Sequence, residues 1–489
     1  MKTLNNKLNR IALVAILFAA VISTVSCDKE KGIDPDPTIP GDDVTNADIN
    51  KWVLDSMRYY YYWSDRIPAS PNVTADPETF FESILSRPDD RFSWIQNNED
   101  LRNQLSGVIK TSGLGITWFR IGDTNAGAAV RFVHKGSPAD KAGIKRGDMF
   151  IRVNGQPFTL SGNSVTNADP LFGNDTFTIT HGQLNGNVIS PGSDVTLTPV
   201  EGFQETAILL DTVITTPNNT KVAYLFYNRF LGGQAQELVD AFTKFKAAGV
   251  TELIIDERYN GGGSISVAGL LSALIHKNFN VNDPYIQYNY NKNFSNSMLT
   301  YGQIFGAANG PLVTSRNLGL DRVYILATGS SASASELLIN NLKPFMPGQV
   351  IHIGSTTRGK DDASITLSNS SSKFQGQNDW GIQPIILKYV NRNGEGNFVN
   401  GLVPTHSATE NIPFAPMGSA NDPLIGKALT LIDPSYQAVY GRQMSVQKSR
   451  AAQLQIEELV EFNRNLVEPI PLDVTETLKG GRINPFHIK

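Results

Sequence analysis

The chain has 489 residues, enough at roughly 150 residues per domain for about three domains and a sizeable core. Hydrophobic residues make up 40% and charged ones 18%, a balance that excludes a mainly disordered chain. The 42 Lys plus Arg against 46 Asp plus Glu give a net charge of -4, which argues against a polyanion-binding surface and so against nucleic acid as a partner. The single cysteine, Cys27, excludes an intramolecular disulfide and a Cys-rich zinc site.

Taken in chain order, Lys2, Lys7 and Arg10 precede an apolar run from Ile11 to Val25 that ends in Ser26-Cys27. This is a targeting segment, too short for a membrane span. It resembles a bacterial lipoprotein signal, which implies cleavage before Cys27, a lipid on its sulfur and attachment of the exported protein to an envelope membrane, facing the periplasm or the cell surface. An ordinary secretory signal with an incidental cysteine is the alternative. Residues 28–45 carry three prolines and six acids with few apolar residues, a composition that builds no core and reads as a tether.

Ile49, Trp52, Val53, Met57, Tyr60 and Tyr61 then recur on one helical face. Asp76-Pro77-Glu78 has the order of an N-cap, a first-turn proline and an acid suited to the helix dipole, ahead of Phe80, Phe81, Ile84 and Leu85. A helical module is expected over 46–104. Residues 105–203 change to strand-like runs, Ala128–Val133 and Asp194–Leu197 among them, separated by Gly-rich turns. Gly113-Leu114-Gly115-Ile116, Gly136-Ser137-Pro138-Ala139, Ala142-Gly143-Ile144, Gly147-Asp148 and Val153-Asn154-Gly155 resemble a PDZ domain of the bacterial protease type. That resemblance implies capture of free C-terminal tails, with the backbone N–H groups of Gly113, Leu114, Gly115 and Ile116 on the peptide carboxylate and the strand edge beside the peptide.

From 204 onward short apolar runs alternate with helical patterns: Val222–Tyr227, then Leu238, Val239, Phe242 and Phe245, then Leu253–Ile255, and again Val323–Leu326, Ala334–Phe345 and Val350–Ile353. This is α/β punctuation, a mixed sheet covered by helices, expected over 204–435. The tail 436–489 shows a helical pattern at Ala451, Leu454, Ile456, Leu459 and Val460.

Three loops follow predicted strands, where ligands gather in open α/β sheets. Asp256-Glu257-Arg258-Tyr259-Asn260-Gly261-Gly262-Gly263 offers backbone N–H groups suited to an oxyanion or another anion. In Gly329-Ser330-Ser331-Ala332-Ser333-Ala334-Ser335-Glu336 a serine at a helix start is suited to nucleophilic attack, although Ser333-x-x-Glu336 is also a capping box. Gly354-Ser355-Thr356-Thr357-Arg358-Gly359-Lys360-Asp361 nearly spells a phosphate-binding loop but lacks the Ser or Thr that should follow the lysine. A buried lysine there could instead serve as general base. His352 and His406 are the rival bases.

The helical start, the PDZ block, Tyr224–Phe230, the Asp-x-Arg-x-Asn-x-Gly-Gly turn, Ser-Ala-Ser-Ala-Ser-Glu and the Gly359-Lys360 pair together resemble the carboxyl-terminal processing peptidase family, Ser/Lys proteases with an embedded PDZ domain. The resemblance implies a crotonase-like, ClpP-type β/α protease core that cleaves proteins and peptides with free C-termini through an acyl-enzyme, with no metal or organic cofactor. It implies Ser333 as nucleophile, Lys360 as base, and the N–H groups of Ala334 and of Gly261 or Gly262 as oxyanion hole. The family glutamine four residues beyond the lysine is Ser364 here, so Glu336 or Ser364 is left to orient Lys360. That departure keeps a second reading open, a catalytically weak or inactive binding lipoprotein of the same fold.

Overall fold

A computed structural model describes residues 44–173, 175–185, 188–368 and 378–436. Cys27, the residues read as signal and most of the tether lie outside the described residues, as does the tail beyond residue 436. Among the described residues no helix is long and apolar enough to cross a membrane.

The helical module opens with α1 (Asn46–Tyr60), which buries Ile49, Val53, Leu54 and Met57 as its periodicity requires. Helix α2 (Pro77–Ser83) starts where Asp76 accepts from the N–H groups of Glu78 and Thr79, with Pro77 at the first helical position. Strand β1 (Trp94–Asn97) belongs to the core sheetwork as much as to the module, because it pairs antiparallel with β10 (Trp380–Gln383) nearly three hundred positions later.

Residues 105–203 fold mainly as a seven-stranded antiparallel sheet around Trp118, Val130, Phe150, Phe158 and Ile179. Its helices are two short turns, Pro138–Lys141 and Asp169–Phe172. The Gly- and Asn-rich stretch after Leu160 carries one long strand pair, Phe177–Asn185 on Val188–Leu197. Strand β2 (Leu114–Ile121) pairs on one side with β3 (Asn125–Val133) and ends the sheet, so no described strand pairs with its outer edge.

The core is a six-stranded sheet in the order β4 (Ile208–Thr215), β5 (Lys221–Tyr227), β6 (Glu252–Asp256), β7 (Val323–Ala327), β8 (Val350–Gly354) and β12 (His406–Ser407), parallel except for β4. Its apolar runs do not alternate with polar residues because both faces are covered. Ala223, Leu225, Leu253, Ile255 and Ile325 face α3 (Ala235–Ala248), α4 (Ile265–Ile275) and α5 (Ala334–Leu342). The residues between them, Val222, Tyr224, Ile254 and Tyr324, face α6 (Pro423–Ile432) through Leu424, Ile425, Ala428 and Leu429. A second sheet of four strands contains β9 (Asp362–Ser364) and β11 (Ile385–Asn391). After β9, Ile365 and Thr366 lie between strands, and Leu367–Ser368 pairs antiparallel with β10. The phosphate-loop pattern at 354–360 leads into β9 and not into a helix.

Candidate active site

The Asp256–Gly263 turn leaves the end of β6 and is pinned through Asn260. Its Nδ2 donates to Tyr227 O (3.0 Å), its Oδ1 accepts from Gly262 N (2.8 Å), and its carbonyl accepts from Ala332 N (3.2 Å) and Ser335 Oγ (2.9 Å). The last two bonds join the turn to the serine loop. The contact is close: a Cβ on Gly262 would lie 2.8 Å from Ser333 Cβ and 3.0 Å from Ala334 N. Only glycine admits this approach, and Gly262 also has φ +116°.

Ser333 caps α5 at φ 60°, ψ −112°, a conformation that costs an L-residue on the order of 1–3 kcal/mol. It is fully buried, and its Oγ has no hydrogen-bond partner among the described residues. The capping reading of Ser333-x-x-Glu336 holds in the direction from Glu336: its Oε2 accepts from Ser333 N at 2.9 Å. The same oxygen accepts from Lys360 N (2.8 Å), and Oε1 accepts from Gly359 N (2.7 Å) and Thr357 Oγ1 (2.5 Å). One carboxylate therefore clamps the main chain of both loops. Burial raises the Glu336 pKa and these donors oppose the rise. On the other side Tyr389 Oη donates to Lys360 O (2.9 Å) and Ser333 O (3.3 Å).

Lys360 is 2% exposed, and its Nζ stands 5.0 Å from the centre of the Phe92 ring. Burial lowers its pKa, against the opposing influence of Asp362, Asp90 and Glu336. Burial also raises Asp362 to about 7, with Lys360 the principal opposing charge. Ser333 and Lys360 share a framework but no side-chain hydrogen bond.

The two residues left to orient Lys360 act otherwise. Glu336 holds its main-chain N–H, and Ser364 Oγ is buried with no partner in the described structure. Of the two glycines expected to donate to an oxyanion, Gly262 has its N–H engaged by Asn260. The N–H groups of Gly261 and Ala334 meet no acceptor among the described residues, so these two are the ones open to a ligand oxygen. His352 bonds to Ala327 O and His406 lies in the edge strand β12, so neither bonds to Ser333.

In the PDZ-like domain Gly113 has φ +89°, and its N–H goes to Thr111 Oγ1 (2.9 Å), so it forms the turn and does not face a peptide carboxylate. A Cβ there would collide with Ser137 Oγ at 2.0 Å. Leu114, Gly115 and Ile116 lie on the edge strand β2, open to β-augmentation.

Sequence reasoning missed the turn Asp90–Ser93, which reaches Lys360, and the network around Arg146. Nothing local in the sequence marks either, because both are made by contacts between distant segments. Arg146 bonds to Glu410 (2.7 Å), Asp422 (3.3 Å) and Tyr259 Oη (2.9 Å), while Arg258 bonds to the same two acids and to Asp256.

Residues 48–94 match the peptidase S41 N-terminal domain, residues 130–167 a PDZ domain, and residues 221–408 peptidase family S41. The core of the chain, residues 221–408, is a peptidase family S41 domain. The chain is 25% identical over 335 residues to the carboxy-terminal processing protease CtpB of Bacillus subtilis, covering 67% of the chain and 62% of the relative. It is 27% identical over 275 residues to CtpA of the same organism, covering 55% and 51%. It thus spans between about half and under two thirds of the length of these curated relatives. A Bacteroides fragilis structure classed as an S41 protease superposes with a TM-score of 0.66 at 25% identity, covering 83% of this chain and 100% of that one. That agreement bears out the mixed α/β peptidase core with a PDZ domain.

Proposed function

We propose that this chain is a serine endopeptidase that grips exposed C-terminal tails on the open edge of β2 and cleaves peptide bonds with Ser333 and Lys360. One observation carries the reading: the buried Glu336 carboxylate accepts from the N–H groups of both Ser333 and Lys360, so the strained serine and the buried lysine are built onto one support. Burial favours the neutral amine that a base must present. Lys360 Nζ takes the Ser333 proton as Oγ attacks the scissile carbonyl, and the N–H groups of Ala334 and Gly261 hold the oxyanion. The resulting ammonium returns the proton to the departing amine. Water, deprotonated by the same lysine, then attacks the acyl carbonyl; the ester bond to Ser333 Oγ breaks, and the lysine returns that proton to Oγ as the acid product leaves. Carriage to a bacterial envelope membrane on a lipidated Cys27 is part of the proposal, supported by the basic, apolar, Ser-Cys order of the first residues.

The test is cleavage of an unfolded protein with an apolar C-terminus by the parent, Ser333→Ala and Lys360→Ala. Both variants are expected to lose turnover by at least about a thousandfold while keeping the parent's circular dichroism. Ser333→Ala cutting at the parental rate would falsify the assignment. The unpartnered Ser364 hydroxyl and the absence of a Ser333–Lys360 bond favour a second reading, a binding protein with little catalysis. Covalent labelling of Ser333 by a fluorophosphonate separates the two, since a binder carries no activated hydroxyl.

A further inference from the structure

The turn Asp90–Ser93 of the N-terminal module is held rigidly against the catalytic loops. Asp90 Oδ1 accepts from the N–H groups of Phe92 (3.0 Å) and Ser93 (2.9 Å), and its Oδ2 accepts from Tyr61 Oη (2.7 Å). Ser93 Oγ accepts from Ile385 N (2.9 Å), directly before β1 pairs with β10. Arg91 donates to Gly359 O, the carbonyl that precedes Lys360, and to Val399 O (3.1 Å). Between these anchors the Phe92 ring meets the Lys360 Nζ at 5.0 Å and the Arg91 guanidinium at 4.8 Å from its centre. Both distances fall within the range of cation–π attraction.

We propose that Phe92 is a positioning residue for the catalytic lysine: the N-terminal module supplies an aromatic wall that holds the Lys360 ammonium, so the aim of the base depends on the docking of this turn. The inference rests on the reading of Lys360 as base. The ring adds a contact at the side-chain amine to the hold that Glu336 has on the lysine's main-chain N–H. The charged groups facing Lys360 are Asp362 from β9, Glu336 from α5 and Asp90 from the same turn as Phe92. An aromatic face attracts the ammonium and not the neutral amine, so the ring adds to the pull of these acids towards the protonated form, against burial.

The test compares the full-length parent with Phe92→Leu and Phe92→Trp, measuring kcat and KM separately across pH on the unfolded protein substrate, together with the rate of Ser333 labelling by a fluorophosphonate. Phe92→Leu keeps the apolar bulk and loses the π face. It is expected to lower kcat about tenfold with KM little changed, and to move the acid limb of kcat/KM to lower pH by about one unit. Phe92→Trp presents a stronger cation-binding face; it should keep kcat within about threefold of the parent and move the limb to higher pH. Parental kinetics in Phe92→Leu, or equal losses in both variants with the limb unmoved, overturn the inference. Should Phe92→Leu not fold, the decision falls to Phe92→Trp, and an unmoved limb overturns it. Ser333→Ala and Lys360→Ala run alongside. Activity that needs both residues but ignores Phe92 defeats this inference alone, whereas activity surviving either change, or a parent that neither cleaves nor is labelled, defeats the proposed function and the inference with it.

Discussion

A Cβ placed on Gly262 has nowhere to go, with Ser333 Cβ at 2.8 Å, Ala332 O at 2.9 Å and a backbone φ of +116°. Gly262→Ala should therefore push the serine elbow away from its turn. A displacement of this kind is expected to reduce kcat by about a hundredfold and stability by about 1–3 kcal/mol, checked by steady-state kinetics beside urea unfolding. Lys360 gives a second expectation at this scale. Its pKa is lowered by burial, so the acid limb of the kcat/KM profile should lie below the ordinary lysine range. Asp362 is the first of the charges that oppose this lowering, and Asp362→Asn should move the limb further towards low pH. A limb that moves upward in Asp362→Asn would show that the two groups do not interact as described.

Helix α5 works as a bracket between two loops because of one residue in its first turn. Glu336 accepts from Ser333, Thr357, Gly359 and Lys360. Glutamine offers one acceptor oxygen and turns an amide towards donors, so Glu336→Gln should cost about 2–3 kcal/mol and leave buried N–H groups unpaired. The urea midpoint should fall, and kcat should fall with it as the two loops loosen. Retained stability would mean that the clamp contributes nothing to the fold. At α2 the effect is simpler: Asp76 caps the N–H groups of Glu78 and Thr79, and Asp76→Ala should cost about 1 kcal/mol without touching kcat.

Across the molecule, the PDZ-like domain meets the core through Arg146, which lies against the rings of Tyr259 and Phe414 as well as Glu410 and Asp422. Burial by itself would raise the Glu410 pKa, but Arg258 and Arg146 overcome it and hold it at about 2. A carboxylate with a depressed folded-state value stabilises the fold above its unfolded value and loses that contribution as pH falls through the folded one. Glu410 should therefore contribute fully at neutral pH and progressively less between about 4.3 and about 2. Glu410→Gln is expected to destabilise the protein by about 3 kcal/mol at pH 7, because two buried guanidinium groups lose a shared partner. Below that acid window the parent and variant should converge in thermal unfolding; a constant gap at all pH values would exclude the linkage.

Local pattern was enough to read much of this protein. Period-two and period-3.6 apolar spacing and the Asp76-Pro77 start carried the elements, and Ser333-x-x-Glu336 and Gly359-Lys360 marked the loops, because each depends on neighbours within a few residues. Tertiary structure alone decided which groups those residues meet. Phe92 reaches Lys360 only because β1 pairs with β10, and Glu336 bonds to Lys360 only because β7 and β8 lie side by side with α5 above them. The difference between Gly261 and Gly262 has the same origin: both precede a helix, but the Asn260 side chain folds back to take one N–H and leave the other. Hydrogen-bond partners, burial and the pKa values they set arise from contacts between distant segments, and no local pattern of residues contains them.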